Sequence, residues 1–546
     1  MMTATAESPD VLRFPDGSCL TRDQLGQWAD HALLELGFQA WRGHQRAAVV
    51  ELLLGRDVLA LMPTGTGKSL VYQLAAKLAE LTKGTTRFFS PLILVISPLK
   101  SLQADQLRAA DALGISAAAV NSDMAAYEIE SVMEHLDRYR ILFVAPEQLR
   151  NASRREAILP RVALTVIDEA HCVSSWGHDF RPSYARLAET LVATSREARG
   201  WHAPCLLLTA TATEAVIGDV LRTLGLPHGS TMTLSSRPLA DNIALNAIEL
   251  RSPTRLTLER AQANFILSKM RDHRQGIVYC QSQAEVDRWL ESGSPLVEAL
   301  GDALVGFHAD TSLKLRIEAM EAMHSGRAKV GVFTCAAGMG IDWSNVDLVV
   351  HKRPPDRLEA MVQEAGRAGR AGQNADHWLL WDRDCWYVPE AFLTSSNPTI
   401  EEYRRVWSYL MEQEEDVLLK SQKAIGEESG VSTYTTPTIV KQLKSWNLIE
   451  LKDQAGRINY DRVGKKIHHA TKWLEIQVRC AFEELPLDAQ LLAEKLQRDR
   501  KGLEAMQRYC SNRKNLCREA MVDLWFRPSI ADPDHKCGRC DVCTSF

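Results

Sequence analysis

The sequence has no apolar run approaching the roughly 20 residues that a membrane-spanning helix needs. Its opening residues, Met-Met-Thr-Ala-Thr-Ala-Glu-Ser-Pro-Asp, lack the basic-then-apolar form of a secretory leader, so a cytoplasmic location is expected. Positive charge is not in excess either. There are 64 Lys and Arg against 69 Asp and Glu, a formal net charge of −5. That excludes a uniformly basic nucleic-acid coat, and any nucleic-acid binding has to use a local groove. What is there is ordinary for a globular protein: 45% hydrophobic and 24% charged residues. The 546 residues suggest about three or four domains. Of 12 cysteines, seven are scattered and suit small core residues in a reducing compartment. The other five fall between 510 and 543 and need a separate account.

Short apolar runs fall at 58–62, 92–97, 141–145, 163–167 and 205–208, with helical patterns between them. A second series falls at 276–280, 303–307, 329–334, 346–350 and 377–381. Strands alternating with helices predict parallel sheets, here two α/β lobes with a boundary in 224–242. The first run ends in Pro-Thr-Gly-Thr-Gly-Lys-Ser at 63–69, and Leu70, Leu74 and Leu78 then recur at helical spacing. Strand, glycine loop and helix make a phosphate-binding loop. Backbone amides of Thr64, Gly65, Thr66 and Gly67 would close on phosphate oxygens at a helix N-terminus. Lys68 would reach the β/γ-phosphates and Ser69 would hold Mg²⁺. Met62 stands where the general pattern has its first glycine.

The run 163–167 delivers two adjacent carboxylates, Asp168 and Glu169. Phosphoryl transfer needs charge neutralisation and an oriented water more than covalent chemistry. Asp168 is expected to hold Mg²⁺, and Glu169 to polarise the attacking water. A loop follows with Trp176, Phe180 and Arg181. Aromatics with an arginine suit stacking on bases of a nucleic-acid strand. The same two aromatics could instead anchor the loop in the core.

Further motifs follow in order: Phe-Gln-Ala-Trp-Arg-Gly-His-Gln at 38–45, Ser-Pro-Leu-Lys-Ser-Leu-Gln-Ala-Asp-Gln at 97–106, Ala-Pro-Glu-Gln-Leu at 145–149 and Thr-Ala-Thr-Ala-Thr at 209–213. Then come Gly-Ile-Val-Tyr-Cys at 276–280, Phe-His-Ala at 307–309, Gly-Met-Gly-Ile-Asp at 338–342 and Gln-Glu-Ala-Gly-Arg-Ala-Gly-Arg at 363–370. Together with the phosphate loop and the 168–182 segment, this series resembles the RecQ-family DNA helicases of superfamily two.

The resemblance implies an ATP- and Mg²⁺-dependent motor of two RecA-like lobes moving 3′→5′ on single-stranded and partially duplex DNA, in repair, recombination or genome defence. It implies an adenine site at Phe38, Arg42 and Gln45. It implies catalytic contributions from Gln363, Arg367 and Arg370 of the second lobe, with Arg370 as arginine finger. His171 and residues 209–213 would relay between strand and nucleotide, or serve only as structural polar bridges in the core. The family usually has Gln where Ser175 stands. Two other readings stay open: an RNA unwinder, and an ATP-switched DNA scaffold that opens no duplex.

Beyond 397 the pattern changes. Residues 399–420 predict a long helix, 430–446 a turn and second helix, and 448–452 with 457–460 a hairpin. That is the outline of a winged helix or of a plain helical module. Residues 466–520 read as mostly helical, with a basic stripe of Lys495, Arg498, Arg500, Lys501, Arg508, Arg513 and Lys514 that suits a solvated face. Four of the terminal thiolates would suit a closed tetrahedral zinc site, and an iron–sulfur cluster is the competing reading. The resemblance to the RecQ zinc module selects Cys517, Cys537, Cys540 and Cys543 and leaves Cys510 over.

The expected division is therefore a lead-in at 1–30, ATP-binding lobe 31–235, second lobe 236–395, winged-helix-like module 396–465 and helical zinc module 466–546. The order departs from the family, in which the zinc module precedes the winged helix.

Overall fold

The computed structural model describes residues 10–13, 18–81, 92–98, 100–174, 183–184, 187, 203–226, 229, 231–252, 254–334, 343–413, 418–453, 473–479 and 485–545. Trp176, Phe180, Arg181 and the motif at 338–342 lie outside the described residues, as does the expected strand at 457–460.

The chain starts with a small antiparallel pair, β1 (Val11–Arg13) and β2 (Cys19–Thr21). Helix Arg22–Glu35 follows, closed at its start by a Thr21–Gln24 capping box. Leu12, Leu25, Ala29 and Leu33 are buried in the core of the first lobe. The described residues of the expected lead-in thus pack into that lobe.

Among the described residues seven parallel strands build the first lobe: β3 (Val58–Leu61), β4 (Leu92–Ile96), β5 (Ala117–Val120), β6 (Ile141–Val144), β7 (Val162–Ile167), β8 (Cys205–Thr209) and β9 (Met232–Ser235). Their order is β5-β6-β4-β7-β8-β3-β9. β3, β4, β6, β7 and β8 are buried at every position, because helices cover both faces. That is why they read as continuous apolar runs. The order sets β8, with Thr209 at its end, between the phosphate-loop strand β3 and the carboxylate strand β7.

The second lobe has β10 (Ile243–Glu249), β11 (Gly276–Cys280), β12 (Leu304–Phe307), β13 (Val330–Thr334), β14 (Leu348–His351) and β15 (Ala375–Trp381). They are all parallel, in the order β10-β15-β14-β11-β13-β12.

The next body corrects the sequence expectation. Helix Ile400–Met411 is followed by a strand, β16 (Leu418–Ser421), and not by continued helix. Helices Gln422–Ser429 and Thr436–Ser445 come next, then β17 (Ile449–Asp453) and β18 (Trp473–Val478). β18 pairs antiparallel with both β16 and β17. Helix, strand, two helices and two strands have the outline of a winged helix. Its last described strand lies beyond 465, inside the stretch read as helical.

The long helix Ala489–Ser511 then returns to the second lobe. Ala505, Met506, Tyr509, Cys510, Val522 and Phe526 are buried in the same core as Ile243, Leu245, Met361 and Leu379. In space, then, the cysteine module follows the second lobe directly. The winged-helix body is a sequence insertion between that lobe and its helical cover.

Candidate active site and cysteine cluster

Pro63 ends β3, and the chain turns through Gly65 and Gly67, both left-handed at φ +78° and +76°. Those angles are costly for any residue with a Cβ. Helix Lys68–Leu81 starts directly after, so its free N-terminal amides face the loop. Lys68 is half-buried, and its Nζ donates to the carbonyls of Met62 at 3.3 Å and Pro63 at 3.5 Å. Burial lowers its pKa, while Glu169 and Asp168 oppose that shift and Arg370 and Arg367 reinforce it. Five expected site charges from two lobes therefore act on one another.

Asp168 is buried at the end of β7. Gln106 Nε2 donates to its Oδ2 at 3.0 Å and the Glu169 amide to its Oδ1 at 3.0 Å. Burial and the neighbouring Glu169 push its pKa up to about 6. A cation beside it would restore the ordinary ionised form, which is what a magnesium position requires. Glu169 takes a left-handed backbone, φ +49° and ψ +50°, an uncommon conformation for a residue with a side chain. Its Oε2 is buried, has no hydrogen-bond partner among the described residues and lies 3.4 Å from His171 Nδ1. The same nitrogen is 3.1 Å from Thr209 Oγ1. The expected relay residues His171 and Thr209 are thus in contact.

Gln45, expected on the adenine side, lies against the phosphate loop. It is 1% exposed, and its Nε2 donates to the carbonyls of Thr66 and Gly67 at 2.9 Å each. Its Oε1 accepts from the Arg42 amide at 2.8 Å. The amide nitrogen thus holds the phosphate loop and the amide oxygen holds the backbone at Arg42. Arg42 adds a 3.4 Å bond to the carbonyl of Gly65, while Phe38 is 37% exposed nearby in sequence.

The second lobe closes onto this loop. Gln363 lies on helix Leu358–Ala365, and Gly366, Arg367 and Arg370 follow its end. Thr64 Oγ1 donates to the carbonyl of Gly366 at 2.9 Å. Arg370 lies so close to Gly65 that a Cβ there would be 2.9 Å from Arg370 Cγ. This contact brings the arginine segment to the phosphate loop. Such a two-lobed cleft can stabilise charge developing on a transferred phosphoryl group and orient a water.

Two links were not read from the sequence. Gln106 ties the 97–106 segment to Asp168, and its signal is the Gln103/Gln106 pair one helical turn apart. The ends of the aromatic loop are also tied down. Ser174 Oγ donates to Asp219 at 2.6 Å, Ser183 Oγ to Glu147 at 2.8 Å, and the Tyr184 hydroxyl to the carbonyl of Asp168 at 3.2 Å.

At the chain end, the sulfurs of Cys517, Cys537, Cys540 and Cys543 all lie within 4.8 Å of one another. The Cys537 amide donates to Cys517 Sγ at 3.4 Å and the Cys540 amide to Cys537 Sγ at 3.3 Å. Four converging sulfurs fit a tetrahedral metal. Cys510 is apart from them, in the second-lobe core. The cluster is braced to the rest of the protein. Arg518 makes a two-pronged ion pair with Asp541 at 2.9 and 2.8 Å, and Arg237, between the lobes, pairs with Glu519 at 2.9 Å. Ser529 reaches Glu214 of the first lobe with its amide at 3.2 Å.

The comparisons with known proteins agree with this architecture. The family described as DEAD/DEAH box helicase matches residues 42–220, and the helicase conserved C-terminal domain matches 259–372. The probable ATP-dependent DNA helicase RecS of Bacillus subtilis (strain 168) is 34% identical over 72% of this chain and 75% of its own length. The ATP-dependent DNA helicase RecQ of Pasteurella multocida (strain Pm70) is 36% identical over 63% of this chain, which spans only 51% of that protein. The fold is similar to that of the DUF1998 helicase MrfA bound to DNA, with a TM-score of 0.54 at 16% identity over 84% of this chain and 59% of that one. No helix among the described residues is long and apolar enough to cross a membrane. By identity and coverage, the chain belongs to the RecQ family of superfamily-two helicases.

Proposed function

We propose that the chain is an ATP-dependent DNA helicase that couples hydrolysis to 3′→5′ movement on single-stranded DNA and to duplex unwinding. The observation that carries this reading is the contact of Thr64 with Gly366, which sets the arginine segment of one lobe on the phosphate loop of the other. Lys68 and the loop amides would bind the phosphates, with Phe38, Arg42 and Gln45 on the adenine side. Ser69 and Asp168 would hold magnesium, which when bound neutralises charge on the transferring group. Glu169 would orient the water. Gln363, Arg367 and Arg370 would complete the site only when the lobes close. Closing on ATP and parting after hydrolysis would drive stepping along DNA.

Trp176, Phe180 and Arg181 would contact the strand. Zinc would be held by Cys517, Cys537, Cys540 and Cys543. Repair, recombination or defence against foreign DNA are the settings this activity suits, in the cytoplasm. The test is ATP turnover by the full chain with single-stranded DNA, single-stranded RNA or no nucleic acid. DNA should stimulate turnover and RNA should not. Stimulation by RNA alone would replace this reading with an RNA motor.

A further inference from the structure

The basic stripe of the cysteine module is divided by the fold into two sets. Lys495 and Arg498 turn inward: Lys495 Nζ lies 3.1 Å from Asp499 and donates to the carbonyl of Ser396 at 2.8 Å, and Arg498 Nε lies 3.5 Å from Asp499. Arg500, Lys501, Arg508, Arg513 and Lys514 are all exposed, and none of them is ion-paired among the described residues. Glu504 is the single exposed acid between 497 and 515. The other side of the same helix, Ala505, Met506, Tyr509 and Cys510, is packed into the second-lobe core, so the row is held on a fixed rod.

A row of like charges without acidic partners raises a local positive potential that favours an anionic ligand. At 1.5 Å of rise per residue the helical part, 500–508, is about 12 Å long. That spans several phosphates of one DNA strand, at about 3.4 Å of axis each. The exposed positions around it, Gln497, Ser511 and Asn515, carry no aromatic ring. Single strands are gripped largely by base stacking, whereas a cationic row without rings reads backbone only.

We propose that Arg500, Lys501, Arg508, Arg513 and Lys514 form a docking strip for the phosphate backbone of duplex DNA, independent of sequence and distinct from the nucleotide cleft. The inference rests on the reading of the chain as a DNA motor. The strip would hold the duplex while the lobes work on the single strand.

The test compares the full chain with its Lys501→Glu/Arg508→Glu variant. Binding of a blunt duplex and of an unpaired oligonucleotide is titrated across salt concentration, beside ATPase at saturating single-stranded DNA. Each phosphate contact contributes about 0.9 to the slope of log affinity against log salt for duplex DNA. The duplex slope should therefore become shallower by about 2 in the variant. Single-strand binding and single-strand-stimulated ATPase should stay as in the parent, which also reports intact folding. If the Glu variant misfolds, Lys501→Gln/Arg508→Gln is measured instead, with the same loss of duplex slope expected. An unchanged duplex slope, or equal loss for duplex and single strand, would overturn the strip. A parent protein whose ATPase ignores DNA would sink the motor reading, yet a variant-dependent duplex slope would still support the strip.

Discussion

Gly366→Ala isolates the closure of the two lobes. Gly366 has φ −66° and ψ +5°, which alanine adopts without strain, so the second lobe should fold normally. The added methyl, however, would sit 1.8 Å from Thr64 Oγ1 and 3.2 Å from Thr64 Cβ. Two responses are open. The lobes can retreat by roughly 1 Å, and misplacement on that scale costs about a hundredfold in rate. Alternatively the Thr64 hydroxyl can swing away and give up its 2.9 Å bond to the Gly366 carbonyl. That bond contributes about 1 kcal/mol, or about fivefold in rate. The expected fall in kcat therefore lies between about fivefold and a hundredfold. Nucleotide affinity, set mainly by the first lobe, should change little. The assay is steady-state ATP turnover at saturating DNA beside a direct nucleotide-binding titration. Thr64→Ala removes the atom that clashes, so Gly366→Ala/Thr64→Ala should be no worse than Thr64→Ala alone. Normal kcat in Gly366→Ala would refute the argument that this contact assembles the site.

Other outcomes follow from the same geometry. Lys68→Ala should abolish turnover, because the loop loses the cation set between it and the carboxylates, and Glu169→Gln should bind ATP yet fail to hydrolyse it; comparable turnover in either would refute the assignment. Trp176→Ala or Phe180→Ala should leave basal ATPase intact and reduce its stimulation by single-stranded DNA, whereas misfolding of both would assign these rings to the core. Cys540→Ser should lower soluble yield and DNA binding, since metal binding supplies on the order of 10 kcal/mol in small zinc modules. Cys510→Ser should be milder, and elemental analysis should find one zinc per chain; iron or a visible chromophore would overturn the zinc assignment.

The parts of the fold legible in the sequence were those where burial leaves a run. β3, β4, β6, β7 and β8 are buried on both faces and stand out as unbroken apolar segments. β5 is Ala-Ala-Ala-Val, of low strand propensity, and exists through its pairing with β6. β9, Met-Thr-Leu-Ser, is an edge strand without a fully buried pattern. β10 lies directly after the stretch read as linker, and β18 reaches its partners only from beyond the undescribed 454–472. The phosphate-loop segment and the carboxylate pair could be read from the sequence because their spacing is fixed, whereas the adenine and second-lobe arginine assignments came from the resemblance. The cross-connections of the site were not legible. Gln45 on the loop carbonyls, Gln106 on Asp168 and Thr64 on Gly366 join residues 21, 62 and 302 positions apart. The return of Cys510 to the second-lobe core likewise depends on docking across an inserted body, which no local pattern encodes.

The central claim is that ATP hydrolysis in this cleft separates DNA strands with a fixed direction. The most direct measurement is strand displacement by the full chain on matched duplexes bearing a 3′ or a 5′ single-stranded overhang, with ATP and with a non-hydrolysable analogue. Displacement with ATP on the 3′-overhang duplex, none with the analogue, and none by Glu169→Gln is the predicted result. DNA-stimulated ATP turnover without displacement on either duplex would contradict the account and leave an ATP-switched DNA-binding protein in its place.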